Sequence, residues 1–141
     1  AGFSRGGRFC ARLASELPAG VIAAMAPISS LRYPLPNNAT QPIPIITFHG
    51  TSDSINPYWG HGNPAYWYQS VGNAVDEWAK FNGCRQTVSF NMSRIASVQA
   101  HVDCDAGADV MLVTISGGEH MWPGLGSPWW PFGGSVIASQ V

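Results

Sequence analysis

The chain has 141 residues, of which 45% are hydrophobic and 11% charged, with a formal net charge of −1. That length suits one domain, and the charge balance excludes a polyelectrolyte: no basic run addresses nucleic acid and no cationic amphipathic stretch addresses a membrane surface. The low charge, with 16 Gly, 11 Pro and 6 Trp, suggests a loop-rich surface of the kind found on secreted enzymes.

The first motif is Gly2-Phe3-Ser4-Arg5-Gly6, which reads G-x-S-x-G. This is the pattern of the nucleophile elbow of α/β-hydrolases, where a serine sits on a strained turn between a strand and a helix. In that reading both flanking glycines are steric requirements, because a side chain at either would collide across the crossing. The same string also arises by chance on Gly-rich loops. A helix must follow the serine, and Arg8–Leu17 reads as one, with Phe9, Leu13, Ala14 and Leu17 on one face and Pro18 ending it. The strands that build the sheet centre of such a fold precede the elbow. The expectation is therefore the C-terminal part of a longer protein, with residues 1–141 an incomplete catalytic domain running from the elbow to past a catalytic histidine.

Val21–Ser29 is a short apolar run read as a strand buried on both faces, with Pro27 at its end. Leu31–Pro44, rich in proline and asparagine, is a loop. Asn38-Ala39-Thr40 within it and Asn91-Met92-Ser93 further on are N-glycosylation sequons, triplets that also occur by chance. Ile43–Phe48 is the next strand. It leads into His49-Gly50-Thr51-Ser52-Asp53-Ser54, placing Asp53 where open α/β sheets bind ligands. Asp53 reads either as the acid of a catalytic triad or as a turn-forming Asx residue. His49 precedes the acid and reads as a structural residue closing the loop by hydrogen bonds.

Trp59–Tyr68 is aromatic and Gly-rich. Its rings, with Tyr58, either stack on a sugar or phenolic substrate or simply pack the loop on the body. Tyr68–Phe81 has the spacing of a surface helix with a buried stripe, ended by Asn82-Gly83. Strands follow at Thr87–Asn91, Val98–Val102 and Val110–Ile115. A hairpin of the first two brings Cys84 to Cys104, which form a disulfide or remain two buried thiols. Cys10 is left over. After the last strand, Ser116-Gly117-Gly118-Glu119-His120 puts a histidine on a flexible loop, C-terminal to the acid. That is the place of a triad base. His61 and His101 lack such a context, and no Cys or His spacing suggests a metal site. The tail from Leu125 adds Trp129-Trp130-Pro131-Phe132.

Four blocks now stand in order: Gly2–Gly7, Pro44–Tyr58, Trp78–Cys84 and Gly117–Gly124. Together they resemble the secreted esterase family that contains feruloyl esterases, acetyl xylan esterases and polyhydroxybutyrate depolymerases. The resemblance implies an α/β-hydrolase fold, secretion, and a triad of Ser4, Asp53 and His120 working without cofactor or metal. It also implies that the Arg5 backbone N–H serves the oxyanion hole and that Cys84 and Cys104 are a disulfide pair. Arg5 itself departs from the small or amide residue expected there. The function this implies is a serine carboxylesterase acting through an acyl-enzyme on an ester substrate, with feruloyl esters of plant cell-wall polysaccharide first and polyesters second. Tyr58, Trp59 and Trp122 are then the expected substrate-binding residues. A non-catalytic carbohydrate-binding relic is the alternative of another class.

Overall fold

A computed structural model of the chain describes residues 1–60, 67 and 69–124. The described residues form a mixed α/β structure. One sheet has the strands β1 (Gly2–Phe3), β2 (Pro27–Ile28), β3 (Ile45–Gly50), β4 (Gln86–Asn91), β5 (Ala96–Val102) and β6 (Val110–Ile115), with helices α1 (Arg5–Glu16) and α2 (Val71–Phe81). The strand order is β1-β2-β3-β6-β5-β4. β1, β2, β3 and β6 run parallel, while β5 and β4 return antiparallel to them.

Alternation along the strands divides the apolar residues between two faces. Ile45, Val110 and Leu112 join Ala11 and Ala14 of α1 and Val71, Val75 and Trp78 of α2 in one cluster. Ile28, Phe48, Val98, Ala100 and Val113 form the other, against which Phe3 and Trp122 pack. The α2 stripe is the one its spacing predicts, and Trp78 donates its indole N–H to the Arg32 carbonyl at 2.7 Å. Ser70 caps this helix by accepting from the Asn73 N–H, so it starts at Val71; Tyr68 lies outside the described residues. Gly83 closes it with φ +68°.

Two expectations are corrected. The buried face of α1 is Gly7, Ala11, Ala14 and Ser15, whereas Phe9 is 61% exposed. Small side chains let the helix axis lie close to β1 and β2, and that approach rotates the large Phe9 outward. The run Val21–Ser29 is not one strand: Val21 is 58% exposed, and regular pairing is limited to Pro27–Ile28 plus a bridge from Met25 to Ile45. Pro27 opens β2 rather than ending the run. Lacking an N–H, it has no donor to give the ladder toward β3, and its carbonyl also accepts from the Thr47 hydroxyl at 2.7 Å.

The hairpin β4–β5 does bring Cys84 to Cys104, and they are joined in a disulfide; Cys10 is free and half-buried. Asn82, fully buried, ties this corner to the sheet through Ile43 and Ala108.

Candidate active site

The four parallel strands end on the same side, and the loops leaving three of them carry the residues of interest. Ser4 follows β1, Asp53 follows β3 and His120 follows β6. Ligand sites of open α/β sheets lie along this edge.

Ser4 stands between β1 and α1 with φ 53° and ψ −118°, a left-handed backbone that an L-residue keeps only when its surroundings over-determine it. The surroundings are visible. The Ser4 N–H donates to the Ile28 carbonyl at 3.0 Å, and the Ser4 carbonyl accepts from Gly7 and Arg8 as α1 begins. A Cβ on Gly2 would fall on the Gly6 backbone and within 2.7 Å of the Gly7 nitrogen. The second glycine of the motif behaves otherwise: a Cβ on Gly6 would meet open space. The steric requirement falls on Gly7, whose Cβ would strike the Ser30 hydroxyl and lie 2.7 Å from the Gly2 carbonyl. The helix axis turns Gly6 to solvent and Gly7 onto the sheet.

Asp53 is 4% exposed. Its Oδ1 accepts from the N–H groups of Ile55 at 2.9 Å and Asn56 at 2.7 Å, and its Oδ2 accepts from His120 Nδ1 at 2.8 Å. One oxygen therefore makes the Asx turn while the other faces the histidine. Burial raises the carboxyl pKa. The hydrogen bond from His49, the Asn56 backbone N–H, the bond from His120 and the His49 charge outweigh it, so the pKa lies below the ordinary 3.8.

His120 completes the chain. A carboxylate only accepts, so Nδ1 carries the proton and Nε2 presents its lone pair to Ser4 Oγ, 2.8 Å away. The ring lies 4.9 Å from that of Phe3. Its loop is stitched to the Asp53 loop by backbone. Ser52 N–H donates to Gly118 O at 2.8 Å, Thr51 N–H to Ile115 O at 2.9 Å, and Gly117 N–H to the Thr51 hydroxyl at 2.8 Å. Gly50 and Gly118 approach so closely that a Cβ on Gly50 would overlap the Gly118 carbonyl.

The Arg5 N–H opens α1, where no helical carbonyl lies four residues back to receive it, and the Arg5 side chain is exposed. Trp59, beyond the Asp53 loop, is 72% exposed. Tyr58 is half-buried against the α2-side cluster, its hydroxyl 2.9 Å from that of Thr114. Trp122 packs on the opposite face. Tyr66, His61 and the aromatic tail from Leu125 lie outside the described residues. His101 sits away from this edge, on β5 beside Thr87 and Asp76. Asn38 and Asn91 are exposed, and the Asn38 amide donates to the Glu16 carboxylate at 3.1 Å. Among the described residues no three His, Cys, Asp or Glu side chains gather as metal ligands, and no helix is long and apolar enough to cross a membrane.

Sequence reasoning missed Ser29 and Asn56. Ser29 has φ +52°, and its carbonyl accepts from the Asn56 side chain at 2.7 Å, tying the end of β2 to the Asp53 turn. A single polar residue in a loop carries no periodic signal, so only the fold reveals such a tie.

No protein-family model matches the chain. It is similar to a protein of Nocardia uniformis subsp. tsuyamanensis named "Putative esterase NocK", with 28% identity over 151 aligned positions. The match covers 92% of this chain and 43% of that protein, so the chain spans less than half the length of its relative.

Proposed function

We propose that the chain carries the nucleophile, base and acid of a serine carboxylester hydrolase of the α/β-hydrolase type. The observation that carries the reading is the hydrogen-bond chain from Ser4 Oγ through His120 to Asp53 Oδ2, each link 2.8 Å. The likeness to a named esterase supports the reaction class.

Ser4 Oγ attacks the ester carbonyl while His120 Nε2 takes its proton. The Arg5 N–H receives the oxyanion, a contribution worth about 3 kcal/mol where one such donor acts. Collapse of the intermediate breaks the bond to the alcohol, which leaves with the proton from His120. A water then gives a proton to His120 and attacks the acyl-enzyme, releasing the acid and restoring the serine. Asp53, held by its turn, keeps the imidazole in the tautomer that both steps require. A non-catalytic relic has no use for a strained serine aligned with a base and an acid.

Within this class the substrate is a feruloyl ester of plant cell-wall polysaccharide. The family resemblance and the exposed Trp59 beside the acid loop support it. Polyhydroxyalkanoate or acetylated xylan is the second choice. The disulfide supports an oxidising, extracellular setting, with Asn38 and Asn91 open to glycans.

The test uses the full-length protein and its Ser4→Ala variant. Fluorophosphonate labelling that vanishes in the variant is the expected result, with release of ferulate from methyl ferulate. Cleavage of a hydroxybutyrate oligomer or of acetylated xylan alone would move the substrate and keep the mechanism. Absent labelling in folded protein would overturn the reading.

A further inference from the structure

His49 is fully buried at the end of β3, yet the mechanism above does not use it. Its Nε2 lies 2.8 Å from the Asn56 carbonyl and 3.2 Å from Asp53 Oδ2. Both neighbours are acceptors, so this nitrogen carries a proton and is shared between them. The oxygen it reaches is the same Oδ2 that faces His120. Two imidazole N–H groups therefore converge on one carboxylate oxygen, while two backbone N–H groups hold the other.

Geometry in the next layer restrains the His49 ring. The ring centroids of Tyr58 and Trp67 each lie 5.9 Å away, Tyr58 edge-on. The Tyr58 hydroxyl is occupied by Thr114, and Arg32 stacks on the far partner, 4.9 Å from the Trp67 ring centroid. The Nδ1 atom of His49 is buried without a hydrogen-bond partner. The ring is thus committed through Nε2 alone. A histidine that served only to close the loop would need the Asn56 carbonyl and nothing else.

We propose that His49 is a positioning residue for Asp53: its Nε2–H fixes the orientation of the oxygen that faces His120 and keeps that carboxylate in its charged form. This inference rests on the reading of Asp53 as the triad acid. Among the described residues, the titratable groups facing the carboxylate are His49 from β3 and His120 from the loop after β6. Exposed Glu119 and Arg5 flank His120 and Ser4 in sequence, and Arg32 lies over the Trp67 ring.

Removing His49 leaves burial of Asp53 opposed by fewer donors, so the carboxyl takes up a proton at a higher pH. A protonated Asp53 no longer accepts fully from His120 Nδ1, so the titration of the carboxyl itself reports what His49 does. Its midpoint should therefore move upward when His49 is removed. Stability follows the same sign. A depressed carboxyl stabilises the fold above its unfolded pKa and loses that contribution as pH falls through the folded one.

The experiment follows the 13C titration of the Asp53 carboxyl in full-length wild type, His49→Phe and His49→Gln, with turnover of a p-nitrophenyl ester recorded beside it. Phe keeps a ring between Tyr58 and Trp67, and Gln restores an N–H near the position of Nε2. The expected result is a midpoint about one pH unit higher in His49→Phe and near wild type in His49→Gln. An unmoved midpoint in His49→Phe, or an equal shift in both variants, overturns the proposal. Fluorophosphonate labelling of each protein separates this failure from failure of the serine mechanism. If wild type labels and only the shift is missing, His49 alone was misread. Should His49→Phe not fold, 15N NMR of His49 in the unsubstituted protein decides: a proton on Nε2 supports the proposal, and a bare Nε2 with the proton on Nδ1 refutes it.

Discussion

The strands β1, β2, β3 and β6 are parallel, two of them only two residues long, and their partners come from distant parts of the chain. The hairpin β4–β5 is antiparallel, and its strands are near neighbours in sequence. Every residue of β4 is exposed, and the pair is stapled at its base by the disulfide and by Arg85, which bonds to Asp103 and Asp105. All three proposed catalytic residues leave the first region and none leaves the second. Short parallel strands are poor stabilisers by themselves. They are tolerated here because buried loops, Asp53, Asn56 and Ser29 among them, tie their ends together. The proposed chemistry thus falls where the fold depends on polar contacts, and covalent reinforcement falls where it is not needed for alignment.

Substitutions separate the two regions. Asp53→Asn should lower kcat by about 10⁴-fold while the protein still folds, because the amide no longer selects the required imidazole tautomer; steady-state kinetics with a circular dichroism control checks this. Gly7→Ala, which drives a Cβ against Ser30 and Gly2, should cost about 1–3 kcal/mol in chemical denaturation. Gly6→Ala, one residue earlier and facing open space, should be neutral or stabilise by up to about 1 kcal/mol. Equal losses at both positions would break the account of the elbow. In the hairpin, replacing Cys84 and Cys104 together by Ala opens a link across 20 residues. Stability should fall by about 3 kcal/mol, with kcat/KM within about twofold of wild type. The smallest effect is expected at Phe90, 54% exposed on β4, where Phe90→Ser should change stability by no more than about 0.5 kcal/mol.

The same division governs what the sequence discloses. Apolar runs and turn residues mark β3, β4, β5, β6 and α2 to within a few residues, and cysteine spacing allows the hairpin staple. The order Ser4, Asp53, His120 along the chain is legible because each residue sits in a string with its own local chemistry. Three features were not. The extent of β2 depends on which ladder the missing N–H of Pro27 would have joined. The buried face of α1 depends on how closely the helix meets the sheet, which selects Ala11 and Ala14 over Phe9. The ties made by Asn56 and Ser29 depend on loops that only the fold brings together.

The separations across these contacts also bear on the order in which the molecule assembles. The bond from His120 to Ser4 joins residues 116 apart, whereas the disulfide spans 20. Closing the longer loop costs about 1.5 kcal/mol more in chain entropy before any contact repays it. The hairpin with β6 is therefore expected to form first, with β6 finding β3 before His120 reaches the serine. Pulse-labelled hydrogen exchange during refolding should find the β5 and β6 amides protected before that of Ser4. The nascent chain would then pass through states that already hold the hairpin but lack an aligned serine, so the proposed ester cleavage would start only when folding is nearly complete.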